Sequence, residues 1–142
     1  MLGRQQSQAL LAAVERRSRY TRLAKVSRRS SVLVAGQVIR LLARQRAKVR
    51  TLTSDNGREF AAHQLISRKL QVKFFFARPY HAWERGTCEN TIGLLRQYAP
   101  KRRTLDNLDG RQLQLIMRRL NHRPRKCLGF RTPHEVFFGV KT

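Results

Sequence analysis

Two carboxylates stand out because the chain has so few: Asp55 and Glu89 belong to 8 acids set against 31 Lys and Arg residues. Asp55 lies in "RTLTSDNGREF", where a basic, β-prone run stops at Asp-Asn-Gly. A type I′ hairpin turn at Asn56-Gly57 would account for that tripeptide. A hairpin needs a second strand directly afterwards, whereas "REFAAHQLISRKL" reads as a helix. A strand-to-helix junction instead puts Asp55 at the carboxyl edge of a sheet, where the sites of α/β folds gather. Both readings stand on position alone. Glu89 sits in "RGTCENTIGLLRQY". With Thr87 as N-cap it falls in a first helical turn, where the helix dipole favours its ionised form. A solvated surface glutamate is the plain alternative. Gly93 and Arg96 share its face at i+4 and i+7, one open to a nucleic-acid backbone and the other able to hold a phosphate. Ile92, Leu94 and Leu95 form the buried side. A strand-end Asp and a first-turn Glu that converge can hold hard cations, since Mg²⁺ takes oxygen ligands and keeps several waters. Two such ions, about 3.5–4 Å apart, serve phosphodiester chemistry.

The elements that must position these acids follow from periodicity. "ALLAAV" (9–14) and "YTRLAKV" (20–26) read as two strands around the polar bend "ERRSR". Ser30 or Ser31 caps a helix over 32–46, with Val34, Val38, Leu41 and Leu42 at helical spacing. "KVRTLT" (48–53) is a third strand. A helix over 58–70 turns Phe60, Leu65, Ile66 and Leu70 inward, and "QVKFFFA" (71–77) is a short buried strand. "ARPYHAWERG" is a loop, since Pro79 disfavours helix at Arg78. A helix runs from about Thr87 to Tyr98, stopped by Pro100. Another covers 108–121, with Asp106 and Asp109 as candidate caps. Near the end, Thr132 caps a last helical turn, Pro133 takes its first position and Glu135 closes a capping box. Strands alternating with helices after an initial pair imply an α/β domain with a mixed sheet.

Composition narrows the partner. Hydrophobic content of 41% supports a folded core, while a formal net charge of +23 and a pI near 11.9 oppose compaction by self-repulsion. A bound polyanion relieves that repulsion, and nucleic acid is the expected one. "RRSRYTR", "SRRS", "RQRAKVR" and "KRR" are solvated faces or phosphate contacts, and with few acids to pair them phosphate contacts are favoured. Tyr20, Trp83 and Tyr98 are candidates for stacking on bases, with Trp83 equally able to pack beneath its own loop. No apolar run approaches the roughly 20 residues of a membrane span, and "MLGRQQSQ" lacks a signal-peptide core. A cytoplasmic, nucleoid-associated protein is expected. Cys88 and Cys127 read as reduced thiols. With His63, His81, His122 and His134 they show no recognised zinc spacing. Glu59 suits a local ion pair and Glu84 a structural place in the Trp83 loop.

Three segments carry a resemblance. "TSDNGREFAAH", "FFFARPYHAWERGTCENTIGLLRQYAPK" and "LNHRPRKCLGFRTPHEVF" are similar to the catalytic domain of DDE transposases, in particular the insertion-sequence-30 family of bacterial mobile elements. "ALLAAVERRSRYTRLAKV" resembles that family's early strand pair. The resemblance covers nearly the whole chain. It implies an RNase H-like fold of the retroviral-integrase type, with residues 1–122 as catalytic core and 123–142 as a basic tail. It also implies Mg²⁺- or Mn²⁺-dependent DNA cutting and strand transfer. Carried over by position, Asp55 matches the second acid of the family's triad and Glu89 the third. Asn56 and Gly57 match the turn beside the metal site. Trp83, Arg85, Gly86 and Asn90 belong to the block around the glutamate, and Arg96 and Gln97 lie further along that helix. Arg123, Pro124, Arg125 and Lys126 match the basic tail motif. Asn56, Arg85, Asn90, Arg96, Arg123, Arg125 and Lys126 are thereby implied DNA contacts. The implied partners are element ends, target DNA, and a second copy or a full-length transposase.

The departures matter as well. Cys88 and Ile92 stand where members carry Asn. The family's first catalytic Asp lies on a strand upstream of the "VER" segment, and Glu15 is the only acid before Asp55. Glu15 matches the "VER" position and is expected to be structural. On this reading the chain is a truncated core lacking its first strand, with exposed sheet edges, an incomplete two-ion site and impaired catalysis when alone. A non-enzymatic basic nucleic-acid binder and a regulatory fragment that joins full-length transposase are the competing expectations.

Overall fold

The computed structural model describes residues 8–78, 86–99 and 108–140. Strand β1 (Ala9–Val14) and strand β2 (Thr21–Val26) form a two-stranded sheet. Glu15 sets the turn between them. Its carboxylate accepts from the Arg17 N–H at 2.9 Å and the Ser18 N–H at 2.7 Å, and the Arg19 N–H closes onto its carbonyl at 2.8 Å. Burial pushes the Glu15 carboxyl up. The hydrogen bonds from Ser18 and Arg17, with the charge of Arg17, outweigh that and hold it below the ordinary carboxylate range. Structural work is thus what this acid visibly does.

Helix α1 (Ser31–Leu42) buries Val34, Val38, Leu41 and Leu42, the expected stripe, together with Ala35. Ser30 occupies its N-cap, but its hydroxyl makes no capping bond. The predicted helix end is instead a separate 3-10 segment, Ala43–Lys48. Strand β3 (Thr51–Ser54) pairs in parallel with β4 (Lys73–Phe76), from Thr51 opposite Lys73 to Ser54 opposite Phe76. Parallel neighbours need a crossover. Here it is a 3-10 turn (Arg58–Phe60) followed by helix α2 (His63–Leu70), which buries Ile66 and Leu70. Gln71, in the left-handed region at φ 54°, ends that helix and turns the chain into β4.

One expectation about β4 needs correction. Phe74 and Phe76 share a face and meet His63, with ring centroids 5.6 and 4.9 Å away. Phe75 points to the opposite face and is 50% exposed. A run of three phenylalanines reads as a strand buried on both sides, but this one is covered on only one and incompletely there, since Phe76 is 36% exposed.

Helix α3 (Gly86–Leu95) buries Thr91 and Leu95. Helix α4 (Gly110–Asn121) starts at a capping box: Asp109 Oδ1 accepts from the Gln112 N–H at 2.8 Å, and the Gln112 side chain returns to the Asp109 N–H. Its inner face is Leu113, Ile116, Leu120 and Asn121. Helix α5 (Pro133–Phe138) has the predicted Thr132/Glu135 box, with bonds of 3.1 and 2.7 Å, and Pro133 in its first turn. Pro100 and Asp106 lie outside the described residues.

The chain divides into two compact units. The first combines residues 1–11 with 24–86. It holds α1, α2 and the β3–β4 pair, with α1 packed on α2 and α2 on β4. The second combines residues 12–23 with 87–142 and holds α4, α5 and nearly all of α3. Its anchor is a side chain acting as backbone: Asn121 Oδ1 accepts from the Thr21 N–H at 2.8 Å while Asn121 Nδ2 donates to the Thr21 carbonyl at 2.9 Å. Both residues are buried, so the amide satisfies two main-chain groups that would otherwise lose their water. Tyr20 stacks on Phe137 at 4.4 Å and meets Phe138 edge-on at 5.4 Å. That ring is half-buried and spends one face on Phe137.

Candidate catalytic carboxylates and nucleic-acid interface

In the first unit, Asp55 follows directly on Ser54, the last paired residue of β3. The chain is held there on both sides. The Ala77 N–H donates to the Ser54 carbonyl at 2.7 Å, and the Ser54 hydroxyl donates to the Asp55 carbonyl at 2.9 Å. Asp55 is half-buried and Asn56 exposed. The chain enters a 3-10 turn rather than a returning strand, so the hairpin reading of Asn56-Gly57 fails. Gly57 is extended at φ −80°, and a Cβ there would meet the Glu59 carboxylate at 2.5 Å. Glu59 therefore folds back against the turn after Asp55. Phe60, at the end of that turn, lies 6.3 Å from Phe74, and His63 Nδ1–H donates to the Phe60 carbonyl at 3.1 Å.

In the second unit, Glu89 lies in the first turn of α3 and is exposed, as is Asn90. The helix already includes Gly86, so Thr87 is inside it rather than capping it. The Thr87 hydroxyl instead accepts from an Arg19 guanidinium nitrogen. Gly93 is exposed, and nothing lies within 4 Å of a Cβ built on it. Arg96 is half-buried, and its Nε has no hydrogen-bond partner among the described residues.

Cations crowd this unit. Burial lowers the pKa of Arg125, and the nearby charges of Arg123 and Arg19 lower it further. Arg125 also donates to the Leu120 carbonyl at 3.4 Å, so part of its work is closing the end of α4. Arg123 and Lys126 are exposed. An open groove of about 480 Å³ is lined by Tyr98, Leu115, Arg118, Arg119, His122 and Arg123. The Arg119 guanidinium lies over the Tyr98 ring, 5.9 Å from its centroid. The sequence reading missed Arg118 and Arg119 as members of this surface. The spacing of Leu115, Arg118, Arg119 and His122 on the outer face of α4 was the available signal.

The first unit thus holds Asp55 and Asn56, and the second holds Glu89, Asn90, Arg96, Arg123, Arg125 and Lys126. Trp83, Glu84, Arg85 and His81 lie outside the described residues. Among the described residues no group of three or more His, Cys, Asp or Glu side chains forms a metal cage. No described helix is long and apolar enough to cross a membrane.

Comparison with known proteins agrees with the fold. Residues 2–82 match the model of the integrase core domain family. The chain is 40% identical over 137 residues to the transposase for insertion sequence element IS4351 of Bacteroides fragilis, covering 96% of this chain and 42% of that protein. It is 40% identical over 124 residues to transposase InsI for insertion sequence element IS30A of Escherichia coli K12, covering 87% and 32% respectively. The chain therefore spans less than half the length of either relative. The catalytic core domain of BIV integrase superposes with a TM-score of 0.68 at 25% identity, covering 93% of this chain and 86% of that one. A simian T-cell lymphotropic virus intasome chain gives 0.67 at 20% identity, covering 95% and 50%. The expected resemblance to insertion-sequence-30-type transposases and the RNase H-like α/β fold are both borne out.

Proposed function

The chain belongs to the integrase core domain family, and on that premise we propose that it is the catalytic part of a DDE-type DNA transposase, acting on DNA with Asp55 and Glu89 as its metal-holding acids. The observation that carries this reading is the place of Asp55, half-buried and immediately beyond the last paired residue of a parallel strand. Mg²⁺ or Mn²⁺ bound by the two carboxylates would supply activation of an attacking hydroxyl and charge stabilisation at the leaving oxygen. The remaining work falls to the chain's own residues. Asn56, next to Asp55, and Asn90, next to Glu89, are placed to orient the scissile region through hydrogen bonds. Arg85, Arg96, Arg123, Arg125 and Lys126 hold the DNA backbone, and Gly93 leaves the outer face of α3 open for it. With 31 cations against 8 acids, backbone affinity is electrostatic and falls steeply with salt.

The test is a cleavage and strand-transfer assay with duplex DNA bearing the element ends, in Mg²⁺, with Asp55→Asn and Glu89→Gln alongside wild type. Each variant is expected to lose at least about 100-fold of the activity wild type shows, itself lowered on the expectation of an incomplete two-ion site, as loss of a direct metal ligand should exceed loss of an outer-shell partner. DNA affinity should hold or rise slightly as negative charge is removed. Wild-type activity in both variants would overturn the assignment.

A further inference from the structure

Phe130 is the most exposed large apolar side chain among the described residues, at 71%. It does not sit on a loose segment. The Arg125 N–H donates to the Arg131 carbonyl at 3.0 Å, and the Phe130 N–H donates back to the Arg125 carbonyl at 2.9 Å. Inside this closure, Leu128 N–H reaches the Arg125 carbonyl at 3.0 Å and Gly129 N–H the Lys126 carbonyl at 3.1 Å. The loop is tied at one end to α4 through Arg125 and at the other to the capping box of α5. Its tip has two successive left-handed residues, Gly129 at φ 62° and Phe130 at φ 64°. Glycine adopts that conformation freely, whereas a phenylalanine there is strained. The fold therefore holds a large ring outward in a costly backbone state, a pattern associated with functional positions.

The surroundings identify the partner. From His122 to Arg131 the sequence is "HRPRKCLGFR", with four Lys or Arg residues and no acid. Arg123, Lys126 and Arg131 of this segment are exposed, as the ring is. A hydrophobic protein pocket would have to accept that charge unpaired, whereas nucleic acid supplies phosphates for the cations and a flat base for the ring. We propose that Phe130 is a stacking wedge for DNA: its ring lies against an unstacked base while the flanking cations hold the adjacent phosphates. This rests on the reading of the chain as a DNA-acting protein.

The experiment measures equilibrium binding of wild type, Phe130→Ala, Phe130→Leu and Phe130→Tyr to a single-stranded oligonucleotide carrying 2-aminopurine and to the matched duplex, across a salt series. Because the side chain is exposed, the variants should fold, and far-UV circular dichroism verifies this. Ala and Leu are expected to lower single-strand affinity roughly 5- to 100-fold, the range of one aromatic–base stack, and to reduce the 2-aminopurine response. Tyr should retain both. The salt slope should stay constant, because no phosphate contact is removed. Wild-type affinity and probe response in Ala or Leu, with normal salt dependence, would assign the ring to another contact and overturn the wedge alone. Failure of wild type to bind either DNA would overturn the DNA reading and the wedge together.

Discussion

The two units of this chain are held by different physics. In the first, α1 and α2 present apolar stripes to each other and α2 covers one face of β4. Its interior positions are Val34, Val38, Leu41, Ile66 and Leu70. Volume and hydrophobicity are what those positions require, and several apolar residues could supply them. In the second, the decisive contacts are polar and specific: the Asn121 amide on the Thr21 backbone and the boxes at Asp109 and Thr132. A side chain that mimics a strand partner admits few substitutes. The first unit offers Asp55 from a strand end, and the second carries Glu89 exposed in the first turn of α3. A pattern-tolerant layer carries one acid, and a geometry-dependent assembly carries the other.

Paired substitutions can break or sharpen this contrast. Ile66→Ala should cost about 2–5 kcal/mol through lost burial and the cavity left behind. Ile66→Leu should recover most of that, leaving less than about 1.5 kcal/mol. Asn121→Ala should cost about 2–4 kcal/mol by leaving two buried main-chain groups of Thr21 without partners. Here Asn121→Leu should recover little, because volume is not what the site lacks. Urea unfolding of the four variants measures this, and full rescue by Asn121→Leu would erase the distinction.

A smaller effect comes from Glu15. Its carboxyl is held below the ordinary range in the folded state. Its contribution to stability is therefore present above the unfolded carboxyl pKa and disappears as pH falls through the lower folded value. Because the group is largely solvent-accessible, the effect should stay under about 1 kcal/mol. Glu15→Gln should be less stable than wild type at pH 7, with the gap closing between about pH 5 and pH 3. Urea midpoints across that range report it, and a gap independent of pH would contradict the assigned hydrogen bonds.

What could be read from sequence follows the same division. The α1 stripe and the Thr132-Pro133-x-Glu135 box were legible because each depends on neighbours within a few residues. The turn chemistry after Asp55 was legible because no strand follows it. Asn121 was not, because its partner Thr21 lies on a distant strand and an Asn at a helix end reads as surface. Phe75 was misjudged because three successive phenylalanines do not reveal that one face of their strand stays uncovered. Thr87 looked like a cap until Arg19, also distant in sequence, was seen to occupy its hydroxyl. For Asp55 and Glu89, the sequence supplied their types, their elements and the family resemblance.

As the central claim, we propose that Asp55 and Glu89 both ligate the divalent cation. It is tested most directly by Mn²⁺ titration, followed by electron paramagnetic resonance, of wild type, Asp55→Asn, Glu89→Gln and the double variant. Joint ligation predicts that each single change weakens binding by about 10-fold or more and that the double variant is little worse than either single one. Strictly additive losses, or unchanged affinity in either single variant, would contradict it.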